Sequence, residues 1–337
     1  MAAMLVICFA AVDLPPEATG ARSLALARQL LPDARLHRTK RYQILSLTDR
    51  TLVRAAESTL EETRRQYDRW CRTVGAPRAR PEERLLCIVL PTRETFADFA
   101  RQTEDLGGAA DLVSGYFSPR FDWIVWFDPA AGQAMGDAFQ SLDDAEARID
   151  AADAAGAPNE QVDAARSTLD DARAELAREE AARRTEIAVH EAVHQLVHVG
   201  TAFPGRDGWP DWLHEGIAVA FETDRPRKPF GPDRDHARRA DGFRAALAAG
   251  TAIALEDMLR LDRIDHTAGA HVGVLYDQAG SLVSWLHRRK RRALGEFLST
   301  LGVPGPDGAT ASVESAFVAA FGPVADIERR WHADVAE

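Results

Sequence analysis

The chain has little cysteine and fewer basic than acidic side chains. Its 337 residues include three cysteines, Cys8, Cys71 and Cys87. Their small number and wide spacing exclude a disulfide framework and a zinc site made of cysteine ligands. Lysine and arginine together number 41, against 52 aspartates and glutamates, which gives a net charge of −11. A nucleic-acid-binding surface would be basic, so we expect no nucleic acid among the partners of this protein.

Long hydrophobic runs are also missing. The most apolar stretch, Met4 to Val12, resembles the core of a signal peptide, but no basic residue precedes it and it is too short to cross a bilayer. A first buried strand explains the same residues equally well. We therefore expect a soluble protein without a transmembrane segment. Its compartment stays unknown, and the weak resemblance to a signal peptide leaves export open.

Glycine and proline are absent from Asn159 to Val199, which predicts a long helix. Within it, His190 and His194 lie on one face, because an α-helix turns by about 100° per residue. Two imidazoles in this arrangement are suited to one metal ion, and Glu191 can reach a water on that ion. The same spacing also occurs by chance in ordinary helices. A third ligand is needed to decide between the two interpretations.

Glu215 is the candidate for that third ligand. Twenty residues separate it from His194, enough for one helix to end and another to begin near Asp211, a candidate N-cap. Glu215 would then face the two histidines from the first turns of the second helix. His198, one turn past His194, is the main rival ligand. Glu222 is a candidate to hydrogen-bond a ligand histidine without itself binding the ion.

The His-Glu-x-x-His sequence at 190–194, followed by Trp-Leu-x-Glu-Gly-x-Ala at 212–218, resembles the gluzincin metallopeptidases. It is similar to the aminopeptidase N family and its peptidase-MA-like relatives. The resemblance implies a zinc peptidase in which His190, His194 and Glu215 bind Zn²⁺ and Glu191 is the general base. It also implies that Tyr276, which opens another similar segment, donates a hydrogen bond to the developing oxyanion.

The sequence also departs from that family. The Gly-x-Met-Glu-Asn sequence that holds a substrate's free amino terminus is absent. This absence favours an endopeptidase, acting on a peptide or protein substrate, over an aminopeptidase. Two other functions stay open: a non-catalytic, peptidase-like scaffold that binds a protein partner, and a helical scaffold without an ion. A metzincin is excluded, because Val197 and Gly200 occupy the glycine and histidine positions of its motif.

We expect an α+β fold with three parts. Residues 1–130 would form an α/β lobe with a small mixed sheet, residues 131–185 an inserted helical hairpin, and residues 186–337 a helical zinc-binding lobe. The resemblance implies that this is a gluzincin-like catalytic fold. It also implies that an edge strand pairs with extended substrate, and Trp123 to Phe127 is our candidate. An ordinary edge strand would explain that pattern too.

The composition changes abruptly to alanine, aspartate, glutamate and arginine over Ala138 to Arg184. Apolar residues recur every three or four positions on both sides of a break at Gly156 to Asn159. This pattern predicts an antiparallel, coiled-coil-like hairpin whose second arm continues into the histidine helix. The hairpin could bind a protein partner or cover a cleft. A solvated protrusion is the simpler interpretation, because charged helical faces are usually just exposed.

Overall fold

The chain folds into a mostly helical α+β protein in a computed structural model, which describes residues 14–77, 81, 83–104, 113–128, 133–199, 203, 205–264, 270–305 and 308–336. Within these ranges the strands are β1 (Arg35–Arg38), β2 (Tyr42–Ser46), β3 (Leu85–Leu90), β4 (Gly115–Ser118) and β5 (Trp123–Phe127). The helices are α1 (Ala21–Leu30), α2 (Arg50–Val74), α3 (Arg93–Thr103), α4 (Gln133–Ala154), α5 (Asn159–Val199), α6 (Asp211–Phe221), α7 (Ala237–Ala249), α8 (Leu255–Leu259), α9 (Ala270–Thr300), α10 (Val313–Phe321) and α11 (Val324–Ala336). The segment Met4 to Val12 lies outside the described residues.

The five strands form one mixed sheet in the order β1-β2-β3-β5-β4. Strands β2, β3 and β5 are parallel, and β1 and β4 are antiparallel to their neighbours. The prediction that Trp123 to Phe127 is an edge strand is therefore wrong, since β5 lies between β3 and β4. All five of its residues are buried, as in a strand that is covered on both faces. The edge on this side of the sheet is β4.

Helices cover both faces of the sheet. Side chains alternate along β3, with Cys87 in the core that faces α2 and α5 and Ile88 in the core that faces α1 and α3. Helix α2 begins at the N-cap Asp49, whose carboxylate accepts hydrogen bonds from the backbone N–H groups of Thr51 and Leu52. The larger core continues without a break from Tyr42 to Trp331. The core contains residues from both the first and the last of the three predicted parts, 1–130 and 186–337. The division into these parts stays a prediction.

Helices α4 and α5 form an antiparallel hairpin. Arg166 and Arg173 of α5 reach acidic residues of α4, with Arg173 contacting Asp143 and Glu146. Apolar side chains along the first half of α5 are buried against α4, namely Val162, Leu169 and Leu176. Helix α5 then continues without interruption to Val199, so its second half lies in the core below the sheet.

A close helix crossing positions the second motif. A Cβ atom at Gly216 would lie 2.8 Å from the backbone oxygen of Ala279, and one at Gly280 would lie 2.2 Å from Cγ1 of Val219. Helices α6 and α9 can approach this closely because neither glycine has a side chain. The residue before Gly216 is Glu215, so this crossing places Glu215 in the part of α6 that packs against α9. No helix in the described part of the chain has both the length and the apolar character needed to cross a membrane.

Candidate functional site

His190 and His194 lie on the face of α5 that borders a cleft, while Val189 and Val193, about 100° round the helix, are buried. The two Nε2 atoms are 3.1 Å apart. Both rings are mostly buried, with 12% and 14% of their side-chain surface exposed. The helical spacing therefore brings two imidazole nitrogens to one point, as the sequence predicts.

Glu215 of α6 meets the two histidines. Its Oε2 atom is 3.0 Å from Nε2 of His190 and 3.4 Å from Nε2 of His194. Ligands that bind zinc tetrahedrally at about 2.0 Å are separated from one another by about 3.3 Å. The three donor atoms therefore already have the mutual spacing of three corners of a zinc tetrahedron. His190, His194 and Glu215 form the one such group of histidine, cysteine or acidic side chains among the described residues.

The electrostatics of this group favour a cation. Burial by itself would lower the pKa of His190, but hydrogen bonds to Glu215 and Glu222 outweigh it and raise that pKa to about 10. Burial would raise the pKa of Glu215, yet the two histidines hold it well below its usual value. Two carboxylates thus keep positive charge at His190, and the same carboxylates would favour a metal cation in its vicinity.

Glu191 lies beside this group without belonging to it. Its side chain is buried against β4, where a Cβ atom at Gly115 would lie 2.9 Å from Cγ of Glu191 and 3.1 Å from its Oε1. Glycine at 115 therefore leaves room for the carboxylate at the sheet edge. Burial raises the pKa of Glu191 above its usual value. A carboxylate with a raised pKa beside a metal site is suited to general-base chemistry.

Glu222 supports His190 from the side opposite Glu215. Its Oε1 atom lies 3.0 Å from Nδ1 of His190, and only 3% of the Glu222 side chain is exposed. Burial would raise the pKa of Glu222, but hydrogen bonds from His190 and Arg239 lower it to about 2. The ionised carboxylate accepts a hydrogen bond from Nδ1, so a metal ion at His190 would take the place of the proton on Nε2.

Tyr276 of α9 lies above the same histidine. Its ring stacks on His190 with a centroid distance of 6.0 Å and an interplanar angle of 16°. Burial, together with the nearby carboxylates of Glu215 and Glu191, raises the pKa of Tyr276. The hydroxyl therefore keeps its proton at neutral pH, and the Glu215 carboxylate is its hydrogen-bond partner.

The cleft in front of these residues has a volume of about 1720 Å³. Strand β4 forms one of its walls through Gly115 and Phe117, and the base of the hairpin forms another through Leu176 and Arg183. Pockets for small molecules typically measure about 300–1,000 Å³. The larger volume and the strand in the wall suit an extended chain better than a compact small ligand.

Two residues that the sequence offers as candidates have other contacts in the structure. His198, the rival third ligand, packs on Phe117 with ring centroids 5.3 Å apart and is not part of the three-residue group. Asp211 is the first residue of α6 rather than its N-cap, and its carboxylate accepts a hydrogen bond from the backbone N–H of Ile264 instead. Neither difference moves Glu215, because the contact between α6 and α9 positions this helix.

Two residues at the site, Arg239 and Gly115, are not identified by the sequence. Arg239 lies in Thr223 to Arg244, whose proline, glycine and charge predict a long, solvated loop that leads into a short helix. Its side chain is nevertheless mostly buried and binds Glu222 and Asp277. Gly115 belongs to no recognisable motif, and its role is visible only from its contact with Glu191. The sole signal in the sequence is the density of arginines after Glu222, which does not distinguish Arg239 from its neighbours.

Comparison with known proteins shows similarity to one protein family. No curated protein matches the chain. Residues 185–306, which include both motifs and Tyr276, are similar to a protein family of unknown function, DUF1570.

Proposed function

We propose that this protein is a zinc-dependent peptidase of the gluzincin type, and that it acts as an endopeptidase. The observation that carries the proposal is the convergence of His190, His194 and Glu215 at mutual distances of 3.0–3.4 Å, with the buried Glu191 beside them. Two imidazole nitrogens and one carboxylate oxygen form the donor set of many catalytic zinc sites, which leave one position open. Cysteine, which would favour a structural zinc site, does not contribute.

His190, His194 and Glu215 would hold the ion. When bound there, zinc would lower the pKa of water and polarise a peptide carbonyl. Glu191 would take the proton from the attacking water and deliver it to the leaving amine nitrogen. The hydroxyl of Tyr276 would donate a hydrogen bond to the carbonyl oxygen as negative charge develops on it. Glu222 would keep His190 in the tautomer that presents Nε2.

Strand β4, rather than β5, would bind the substrate. Among the described residues β4 is an edge of the sheet, so an added strand could pair with the side of its backbone that faces away from β5. Gly115 in this strand contacts Glu191, so a paired peptide would run past the general base. The cleft extends along α5 in both directions, from Leu176 near the hairpin to His198 and Trp209 beyond the histidines. A cleft that continues on both sides of the reacting bond supports cleavage within a chain.

The experiment is elemental analysis of the purified protein combined with cleavage of a generic unfolded protein. We expect about one equivalent of zinc, which the variant His194→Ala loses. Glu191→Gln removes the base but no ligand, so we expect retained zinc and a loss of turnover of at least 10²-fold. Undiminished turnover in Glu191→Gln would contradict the mechanism. Stoichiometric zinc without any cleavage would instead indicate a peptidase-like scaffold that binds a protein partner, and absence of zinc would contradict the metal site itself.

A further inference from the structure

We propose that Arg239 is a positioning residue that orients both the metal-binding His190 and Tyr276. The inference rests on the proposed function, since it gives these two side chains their roles. Arg239 belongs to the first turn of α7, whereas His190 belongs to α5 and Tyr276 to α9. One guanidinium from α7 would thus connect two residues of the site that belong to different helices.

The connection to His190 runs through Glu222. Nε of Arg239 donates to Oε2 of Glu222 at 2.7 Å, and Nη2 donates to Oε1 at 2.6 Å. This two-point contact fixes the plane of the carboxylate as well as its position. The same Oε1 atom lies 3.0 Å from Nδ1 of His190. The orientation of the imidazole therefore depends on a carboxylate that Arg239 holds in place.

The connection to Tyr276 runs through the next residue in α9. Nη1 of Arg239 donates to Oδ1 of Asp277 at 2.9 Å, and its guanidinium lies 5.9 Å from the centroid of the Tyr276 ring. All three nitrogens of the guanidinium thus have an assigned partner. Lysine has a single nitrogen and cannot make these contacts together.

Arg238 offers a natural comparison. It precedes Arg239 in the same helix turn, but its side chain is 42% exposed, against 18% for Arg239. Its Nη2 atom donates to Glu186 at 3.0 Å and only approaches Glu222, at 3.5 Å. If only positive charge near Glu222 mattered, substitution of either arginine would have a similar effect. If Arg239 positions the site, only its substitution has a large effect.

The test measures the dissociation constant for zinc, by competition with a chromogenic chelator, in wild type, Arg239→Gln and Arg238→Gln. Loss of a group that orients a ligand typically weakens metal binding by about 10–100-fold. We expect a weakening of roughly 10-fold or more in Arg239→Gln and less than about 3-fold in Arg238→Gln. Arg239→Lys should lie between wild type and Arg239→Gln. The absorption spectrum of the cobalt-substituted protein should change in Arg239→Gln and stay as in wild type in Arg238→Gln, because only the former releases His190.

Asp277→Asn separates the second connection from the first. It weakens the contact between Arg239 and α9 while leaving the two-point contact with Glu222 intact. We expect unchanged zinc affinity and KM but a several-fold lower kcat, because only Tyr276 would shift. A purely structural role for Asp277 would lower the thermal midpoint without this separation of kcat from zinc affinity.

The outcomes are distinguishable from failure of the proposed function. A wild-type protein that does not bind zinc would overturn both proposals. Zinc-binding wild type with equal zinc affinity and equal cobalt spectra in Arg239→Gln would overturn the role of Arg239 alone. Should Arg239→Gln not fold, the Lys variant decides: wild-type zinc affinity in Arg239→Lys would contradict the need for the two-point contact.

Discussion

Helix α5 has two halves whose charged side chains lie in opposite surroundings. In residues 159–184, arginines such as Arg166 and Arg173 form ion pairs with α4 at the protein surface. In residues 186–199, charged and polar side chains such as Glu186, Glu191 and Gln195 are buried. The chain runs through both halves as one helix, so backbone conformation does not explain the contrast. Tertiary packing does, because it excludes water from one half only.

This difference determines what the charges can do. Exposed ion pairs contribute little to stability because water already solvates both partners. Buried charges must be paired, and their partners then hold them in defined orientations. Glu186 shows the second case, since it contacts His236, the N-cap residue of α7, and Arg238 in its first turn, each at 3.0 Å. We therefore expect substitutions in the buried half to alter the site, and substitutions in the hairpin half to have small effects.

The largest effect that we expect from the substitutions below is on kcat and concerns Tyr276. Its ring stacks on His190 in the buried half of α5. Tyr276→Phe removes the hydroxyl but keeps the stacking ring. Loss of one oxyanion donor typically costs about 10²-fold in kcat, or roughly 3 kcal/mol. We expect this decrease with unchanged KM and zinc content, measured by steady-state kinetics on a peptide substrate. Tyr42→Phe, the same change in strand β2, is the control and should keep wild-type kcat; a Tyr276→Phe variant that does so too would exclude Tyr276 from the reaction.

A smaller effect concerns Asp122, which lies next to Gln195 of the buried half. Burial raises the pKa of Asp122 to about 6, above its ordinary value of 3.8. Oδ1 of Asp122 and Oε1 of Gln195 are buried, and neither has a hydrogen-bond partner in the described part of the chain. A protonated Asp122 could donate to such an acceptor, whereas the ionised form could not.

The folded protein therefore binds more protons than the unfolded chain between about pH 4 and pH 6, and its stability falls as the pH rises through this window. Asp122→Asn should remove that part of the pH dependence and add about 1–2 kcal/mol of stability above pH 6. Asparagine also tolerates the positive φ of 51° at this position. Denaturant unfolding at pH 4.5 and pH 7.5 measures the effect, with the exposed Asp33→Asn as control. An Asp122→Asn variant with the wild-type pH dependence would show that this carboxyl does not titrate in the window.

The smallest effect is expected in the hairpin half. Arg173 pairs with Asp143 and Glu146, yet all three side chains are at least 33% exposed. Because such pairs are worth little, Arg173→Ala should shift the thermal midpoint by no more than about 2 °C and leave zinc affinity unchanged. Thermal unfolding beside the buried Arg239→Gln variant measures the contrast. Equal shifts in the two variants would contradict the expectation that exposed ion pairs of the hairpin half contribute less to stability than buried ones.

The sheet illustrates where sequence reasoning stops. The apolar run Arg84 to Leu90 predicts a strand covered on both faces, and β3, which begins one residue later, is such a strand. The run Trp123 to Phe127 is just as apolar, but its assignment to the edge is wrong. Apolar pattern reports whether a strand is covered on its faces, whereas the order of strands depends on pairing between segments far apart in the chain. Strand β4 is therefore recognisable as an edge only in the folded protein.

The sequence by itself determined the local geometry of the candidate site. The i, i+4 spacing of His190 and His194 and the helical start before Glu215 follow from helix periodicity, which acts over a few residues. Only the tertiary structure decided which side chains meet them. Gly115 leaves room for Glu191, and Arg239 holds Glu222 and Asp277, through contacts between elements distant in sequence. Such contacts depend on how helices and strands pack, so no pattern of neighbouring residues encodes them.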